Sequence, residues 1–236
     1  MSGVLYGLGL GPGDPDLVTL KAARILETVP VIAYVCPLTN GEPTPSFARQ
    51  IAAPHIKGNK TEIPIPIAML DDPAPGQLAY DKAARQIAGH LENGMNVAVL
   101  CEGDPLLFGS FMYLLERLKV SHEIMTVPGV SALSATAAAA NQPLVSRHQS
   151  LALVPATLDD EEILTRLQVA DAAAIFKVGR NINKVKRLIE GLDRMDDALY
   201  VERATLPDGK VLPLRDAPDD APYFSMILLT KMKATP

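Results

Sequence analysis

Apolar and polar positions alternate in blocks from the start of the chain. Val4–Leu10 is an apolar run ending in Gly11-Pro12-Gly13-Asp14, the pattern of a buried strand and a tight turn. Thr19 then precedes Leu20–Val29, where Ala22, Ala23, Ile25, Leu26 and Val29 recur at helical spacing, so a helix capped by Thr19 is predicted. Pro30 stops it, and Val31–Val35 reads as a second buried strand. Residues 37–76 are rich in Pro, Gly, Asn and Asp and read as a loop-rich excursion with one helical stretch, Ser46–Ala53. Leu78–Glu92 follows as an amphipathic helix closed by Asn93-Gly94, and Asn96–Leu100 as a third strand with Gly103-Asp104-Pro105 beyond it. A helix at Ser110–Leu118, a strand at Glu123–Val127 and an alanine-dominated helix in Ser131–Asn141 come next.

The second half repeats the alternation. Strands are expected at Ser150–Val154, Ala172–Val178, Ala198–Glu202 and Phe224–Thr230, with helices after Asp159 and over Asn181–Gly191. Asp208-Gly209 reads as a hairpin turn. The whole is an α/β chain of two domains, 1–118 and 119–236, meeting within 115–145, and a cleft between such domains is a usual ligand site.

Composition narrows the partners. Of 236 residues 48% are hydrophobic and 21% charged, which excludes a disordered chain. The net charge of −5 argues against a nucleic-acid partner, and the one basic cluster, from Lys177 to Arg187, could serve a small anionic ligand but hardly a duplex. Two isolated cysteines, Cys36 and Cys101, suggest neither a disulfide framework nor a metal site. No signal peptide or membrane-length apolar run is visible, so a cytoplasmic protein is expected.

Three glycine-bearing turns follow predicted strands: Gly9–Asp14, Glu102–Pro105 and Pro128–Ser131. In α/β sheets ligands bind at that edge, and glycine lets backbone approach closely. The first turn departs from a dinucleotide fingerprint, since Pro12 removes an N–H that a pyrophosphate would use. It lacks the Gly-Lys-Ser/Thr of a phosphate-binding P-loop as well.

Together the turns resemble the tetrapyrrole methylase family. The resemblance is carried by Gly9–Asp14 with Leu17–Ala22, by Gly103-Asp104-Pro105 with Phe108-Gly109-Ser110, and by Val127–Ala132. Ser46–Ile51, Cys101–Pro105, Phe108–Tyr113, Lys177–Arg180, Tyr200–Thr205 and Tyr223–Met226 are similar to the branch that methylates precorrin-2 at C20. The uroporphyrinogen-methylating branch has an Asp after the second strand, whereas Ala33–Pro37 holds no acid here.

The resemblance implies a two-domain fold with S-adenosylmethionine (SAM) and substrate in the cleft, release of S-adenosylhomocysteine, and a homodimer. Carried over by position, the cofactor contacts are Pro12, Glu102, Gly103, Asp104, Leu107, Ser131, Ala132, Val178 and Ala204. Ser131 is equally readable as a helix N-cap, and Asp104 as a brace within its own turn. Glu102, His148 and Tyr113 are candidates to assist proton loss from the methylated carbon, and His148 reads alternatively as a substrate anchor. Precorrin-2 is rich in carboxylates, so an acidic chain must concentrate positive charge, with Arg49, Arg147, Lys177, Arg180 and Arg203 as candidates beside His148. No metal is required. The alternatives are a cobalt-containing substrate, a ribosomal-RNA methylase, a non-catalytic tetrapyrrole carrier and a nicotinamide-dependent oxidoreductase.

Overall fold

A computed structural model describes residues 2–68 and 74–231. The chain divides into two compact units, Met1–Ala132 and Leu133–Pro236. The division falls beyond residue 118 because the strand Ile124–Val127 pairs with the first strand of the chain.

The first unit is built on β1 (Leu5–Gly9), β2 (Val31–Thr39), β3 (Glu42–Pro43), β4 (Thr61–Ala68), β5 (Val97–Cys101) and β6 (Ile124–Val127). Their order is β3-β2-β5-β1-β6, with β4 also on β2. All pairings are parallel except the short β2–β3 hairpin. Helices cover both faces, so β5 is buried at every residue. Val97, Val99 and Cys101 join one core with α3 (Ala74–Glu92) and α4 (Phe111–Leu118). Ala98 and Leu100 join the opposite core with α1 (Leu20–Thr28) and α2 (Phe47–Ala52). Helix α1 starts where expected, since Thr19 Oγ1 accepts the Ala22 N–H at 3.3 Å.

One element corrects the sequence reading. Thr61–Ala68, expected as loop, is a full strand beside β2, although it holds Pro64 and Pro66. A parallel ladder uses the N–H of alternate residues. The Thr61 N–H bonds Pro30 on the β2 side, so Ile63, Ile65 and Ile67 share that side and both prolines fall on the free edge. The isoleucines are buried while Pro64 and Pro66 are exposed, an alternation the prolines mask in the sequence. The rest of that excursion, residues 69–73, lies outside the described residues.

The second unit holds β7 (Leu151–Pro155), β8 (Ala172–Phe176), β9 (Ala198–Glu202), β10 (Lys210–Pro213) and β11 (Ser225–Thr230), ordered β10-β9-β11-β8-β7. Only β7 and β8 pair in parallel, and β11 is antiparallel to both of its neighbours. Helices α6 (Asp160–Val169) and α7 (Ile182–Gly191) cover one face around Ile175, Tyr200 and Ile227. On the other face Leu133 and Ala140, from and just beyond α5 (Ala132–Ala139), pack toward Ala174, Met226 and Leu228. Asp159 caps α6, whose first turn is acidic and so complements the helix dipole.

Candidate functional site

Strands β5, β1 and β6 lie side by side and run the same way, so their three glycine turns leave one edge of the first sheet together. The contact between them is backbone on backbone. Gly11 and Gly103 exchange N–H···O bonds of 3.3 and 2.7 Å. A Cβ on Gly9 would lie 2.4 Å from the Gly129 nitrogen, and one on Gly129 would lie 2.2 Å from the Gly103 oxygen. Gly103 adopts φ +64°, in the left-handed region that glycine enters without strain. The Asp104 carboxylate accepts the Leu106 N–H at 2.9 Å and the Gly129 N–H at 3.1 Å.

Glu102 stands immediately after β5, between these turns and α2. Its Oε1 accepts the Ala48 N–H at 3.1 Å. Burial pushes its carboxyl above the ordinary carboxylate range, and hydrogen bonds from its own N–H and that of Ala48 offset this in part. Pro12 and Leu107 are half-buried on the first two turns, and Ser131 directly precedes α5, which opens at Ala132. Seven of the nine expected cofactor contacts therefore belong to one edge of one sheet.

Tyr113 lies in the first turn of α4 and stacks on Tyr80, with ring centroids 4.7 Å apart. Arg49 is engaged by Glu62, with Nε–Oε contacts of 3.2 Å and an Nη2–Oε1 contact of 2.9 Å. Glu62 also accepts the Tyr34 hydroxyl at 2.6 Å. Burial and then this hydrogen bond push the Tyr34 pKa up to about 12. Glu62 escaped the sequence reading because it belongs to β4.

In the second unit Lys177, Val178 and Arg180 follow β8, while Arg203 and Ala204 follow β9. Both strands are antiparallel to β11 between them, so these residues leave the same edge of the second sheet. Lys177 and Arg203 have φ of +57° and +49°, uncommon for non-glycine residues. Val178 is fully buried in the core. Arg203 pairs with Asp208 inside the β9–β10 connection. Arg147 and His148 are exposed and precede β7, near the opposite edge, where Thr230 Oγ1 bonds the Leu144 carbonyl. Arg147 and Arg180 thus do not share one edge.

A further cluster joins Tyr200, Glu202 and Lys210. Glu202 is only 6% exposed, and it accepts the Tyr200 hydroxyl at 2.6 Å and pairs with Lys210 at 2.9 Å. The Tyr200 hydrogen bond first, and Lys210 after it, hold the Glu202 carboxyl below its ordinary range. The legible signal is the spacing of Tyr200 and Glu202, which places both on one face of a strand. Lys184, Lys186 and Arg187 reach Leu158, Ala217 and Asp160 and tie α7 to its surroundings. Among the described residues, no group of three His, Cys, Asp or Glu is placed to hold a metal ion. No described helix is long and apolar enough to cross a membrane.

The family model described as Tetrapyrrole (Corrin/Porphyrin) Methylases matches residues 4–218. The cobalamin biosynthesis protein CobIJ of Mycobacterium tuberculosis is 41% identical over 96% of this chain and 46% of its own length. The chain therefore spans about half the length of that relative. A precorrin-2 C(20)-methyltransferase of Sinorhizobium is 36% identical, covering all of both chains. A cobalt-precorrin-2 C(20)-methyltransferase of Salmonella typhimurium is 33% identical over 98% of each. Among solved structures, a uroporphyrin-III C-methyl transferase of Thermus thermophilus complexed with S-adenyl homocysteine has a TM-score of 0.67. It is 22% identical, over 97% of this chain and 92% of that one, and shows the likeness of fold.

Proposed function

The chain belongs to the tetrapyrrole (corrin/porphyrin) methylases, and from that premise we propose that it transfers a methyl group from SAM to C20 of precorrin-2, yielding precorrin-3A and S-adenosylhomocysteine. The observation that carries the reading is the convergence of three glycine turns at one sheet edge, in a chain 36% identical end to end to a precorrin-2 C(20)-methyltransferase.

The glycine turns fit such a cofactor. Backbone N–H and C=O groups reach the edge where a Cβ has no room, suiting recognition of an adenine and an amino-acid end without charged side chains. Pro12, Glu102, Gly103, Asp104, Leu107, Ser131 and Ala132 form this part. SAM supplies a methyl already activated on a positive sulfur, so the protein's work is alignment and exclusion of water. Glu102 is the proton acceptor of this account. Burial raises its pKa above that of an ordinary carboxylate, and the Ala48 N–H holds its Oε1 in place. Lys177, Arg180 and Arg203 receive the substrate's carboxylates from one sheet edge, Arg203 exchanging Asp208 for a substrate carboxylate.

Incubation with precorrin-2 and methyl-labelled SAM tests the reading. A product labelled once, at C20, supports it, and absence of transfer sinks it. A second reading takes the cobalt complex as substrate and is favoured by the Salmonella typhimurium relative. We also infer a cytoplasmic location, and a homodimer, which the family resemblance implies. Light scattering at twice the 25.3 kDa chain mass would support the dimer, and a mass of one chain would refute it.

A further inference from the structure

We infer that Asp104 is a positioning residue, whose carboxylate staples the third glycine turn to the second and so shapes the backbone that receives SAM; this deepens the reading above and rests on it. The first and second turns are joined through main chain, by the paired bonds of Gly11 and Gly103. The third turn is joined to the second through a side chain. Asp104 Oδ1 accepts the Leu106 N–H at 2.9 Å, closing its own turn. Oδ2 accepts the Gly129 N–H at 3.1 Å, across 25 positions of sequence. Both oxygens are thus spent on backbone N–H groups, a charge-assisted arrangement stronger than a bond between neutral groups.

The position of Gly129 matters because no slack surrounds it. Its backbone lies against Gly9 and Gly103 so closely that neither Gly9 nor Gly129 admits a methyl group. Two residues further on, the same turn delivers Ser131 and the start of α5. A carboxylate is specifically required. Asparagine keeps an acceptor for Leu106 but presents either a second donor or a mismatched flip to Gly129. Serine keeps the local turn and is too short to bridge to Gly129.

Asp104→Asn and Asp104→Ser in the full chain separate the possibilities. The readouts are hydrogen exchange at the Gly129 amide without ligand, S-adenosylhomocysteine binding by calorimetry, and the split of KM for SAM against kcat. In both variants the ligand-free Gly129 amide should exchange about tenfold faster or more, and the Kd and the KM for SAM should rise about tenfold. The loss should fall more heavily on the KM for SAM than on kcat. Weakened binding with unchanged Gly129 exchange overturns the inference, because the carboxylate would then act on the ligand directly. Faster exchange with unchanged affinity overturns it too, as does loss of folding in both variants. Failure of the wild-type chain to bind S-adenosylhomocysteine defeats the methyltransferase reading itself, and shows before any substitution is made.

Discussion

Two glutamates stand at the carboxyl ends of strands, one in each unit, and their chemistry diverges. Glu102 follows β5 with backbone N–H groups, its own and that of Ala48, on its carboxylate, and burial raises its pKa. Glu202 ends β9 with the Tyr200 hydroxyl and the Lys210 ammonium on its two oxygens, and these lower its pKa. The first holds a proton more readily than an ordinary carboxylate, while the second is a fixed charge that anchors the hairpin carrying Arg203 and Ala204. The surroundings follow the same division. In the first unit the edge is built of glycine backbone packed on glycine backbone, and in the second of side-chain ion pairs. A buried carboxylate thus marks reactivity only when its neighbours leave it under-compensated.

The largest effect expected from breaking this contrast is at the glycines. Gly129→Ala would bring a Cβ within 2.2 Å of the Gly103 carbonyl oxygen, where only backbone could yield. A loss of about 3 kcal/mol or more in thermal unfolding is predicted, with S-adenosylhomocysteine binding abolished in calorimetry. Next is Glu102→Gln, for which steady-state kinetics should show kcat lower by about a hundredfold if Glu102 accepts the proton.

The same variant sharpens the comparison in stability. A folded pKa above the unfolded one contributes stability that is present below about 4.5 and lost as pH rises through the raised value. Glu102→Gln should therefore melt higher than wild type at pH 8, with the gap closing below pH 4.5. Glu202 has the opposite sign. Its lowered pKa contributes stability that is present above about 4.5 and lost as pH falls through the folded value. Glu202→Gln should cost about 1–2 kcal/mol at pH 7, with melting curves converging with wild type in strong acid. The smallest effect is expected at Lys177→Ala, which should raise the KM for precorrin-2 about three- to tenfold and leave that for SAM unchanged.

The divergence of the two glutamates also explains what could be read from sequence. Strand-end glycine turns at Gly9, Gly103 and Gly129 announce themselves, because a residue type alone encodes close approach and positive φ. The buried strands β1, β5, β8 and β11 were equally legible as apolar runs. What stayed hidden depends on pairing. Strand β4 was read as loop because Pro64 and Pro66 look like breakers until the free edge is known, and with it went Glu62, the partner that engages Arg49. The extent of the first unit depended on β6 joining β1, a parallel pairing across more than a hundred residues. Asp104 was visible as a turn residue, but its bond to Gly129 was not, since no local pattern names a partner 25 positions away.

The central claim concerns what is methylated and where. The most direct measurement offers the protein equal amounts of metal-free and cobalt-loaded precorrin-2 with carbon-13-methyl SAM and follows the products by NMR. Preferential labelling of the metal-free compound at C20 is the result predicted. Preferential labelling of the cobalt complex, or label at any other carbon, would contradict it.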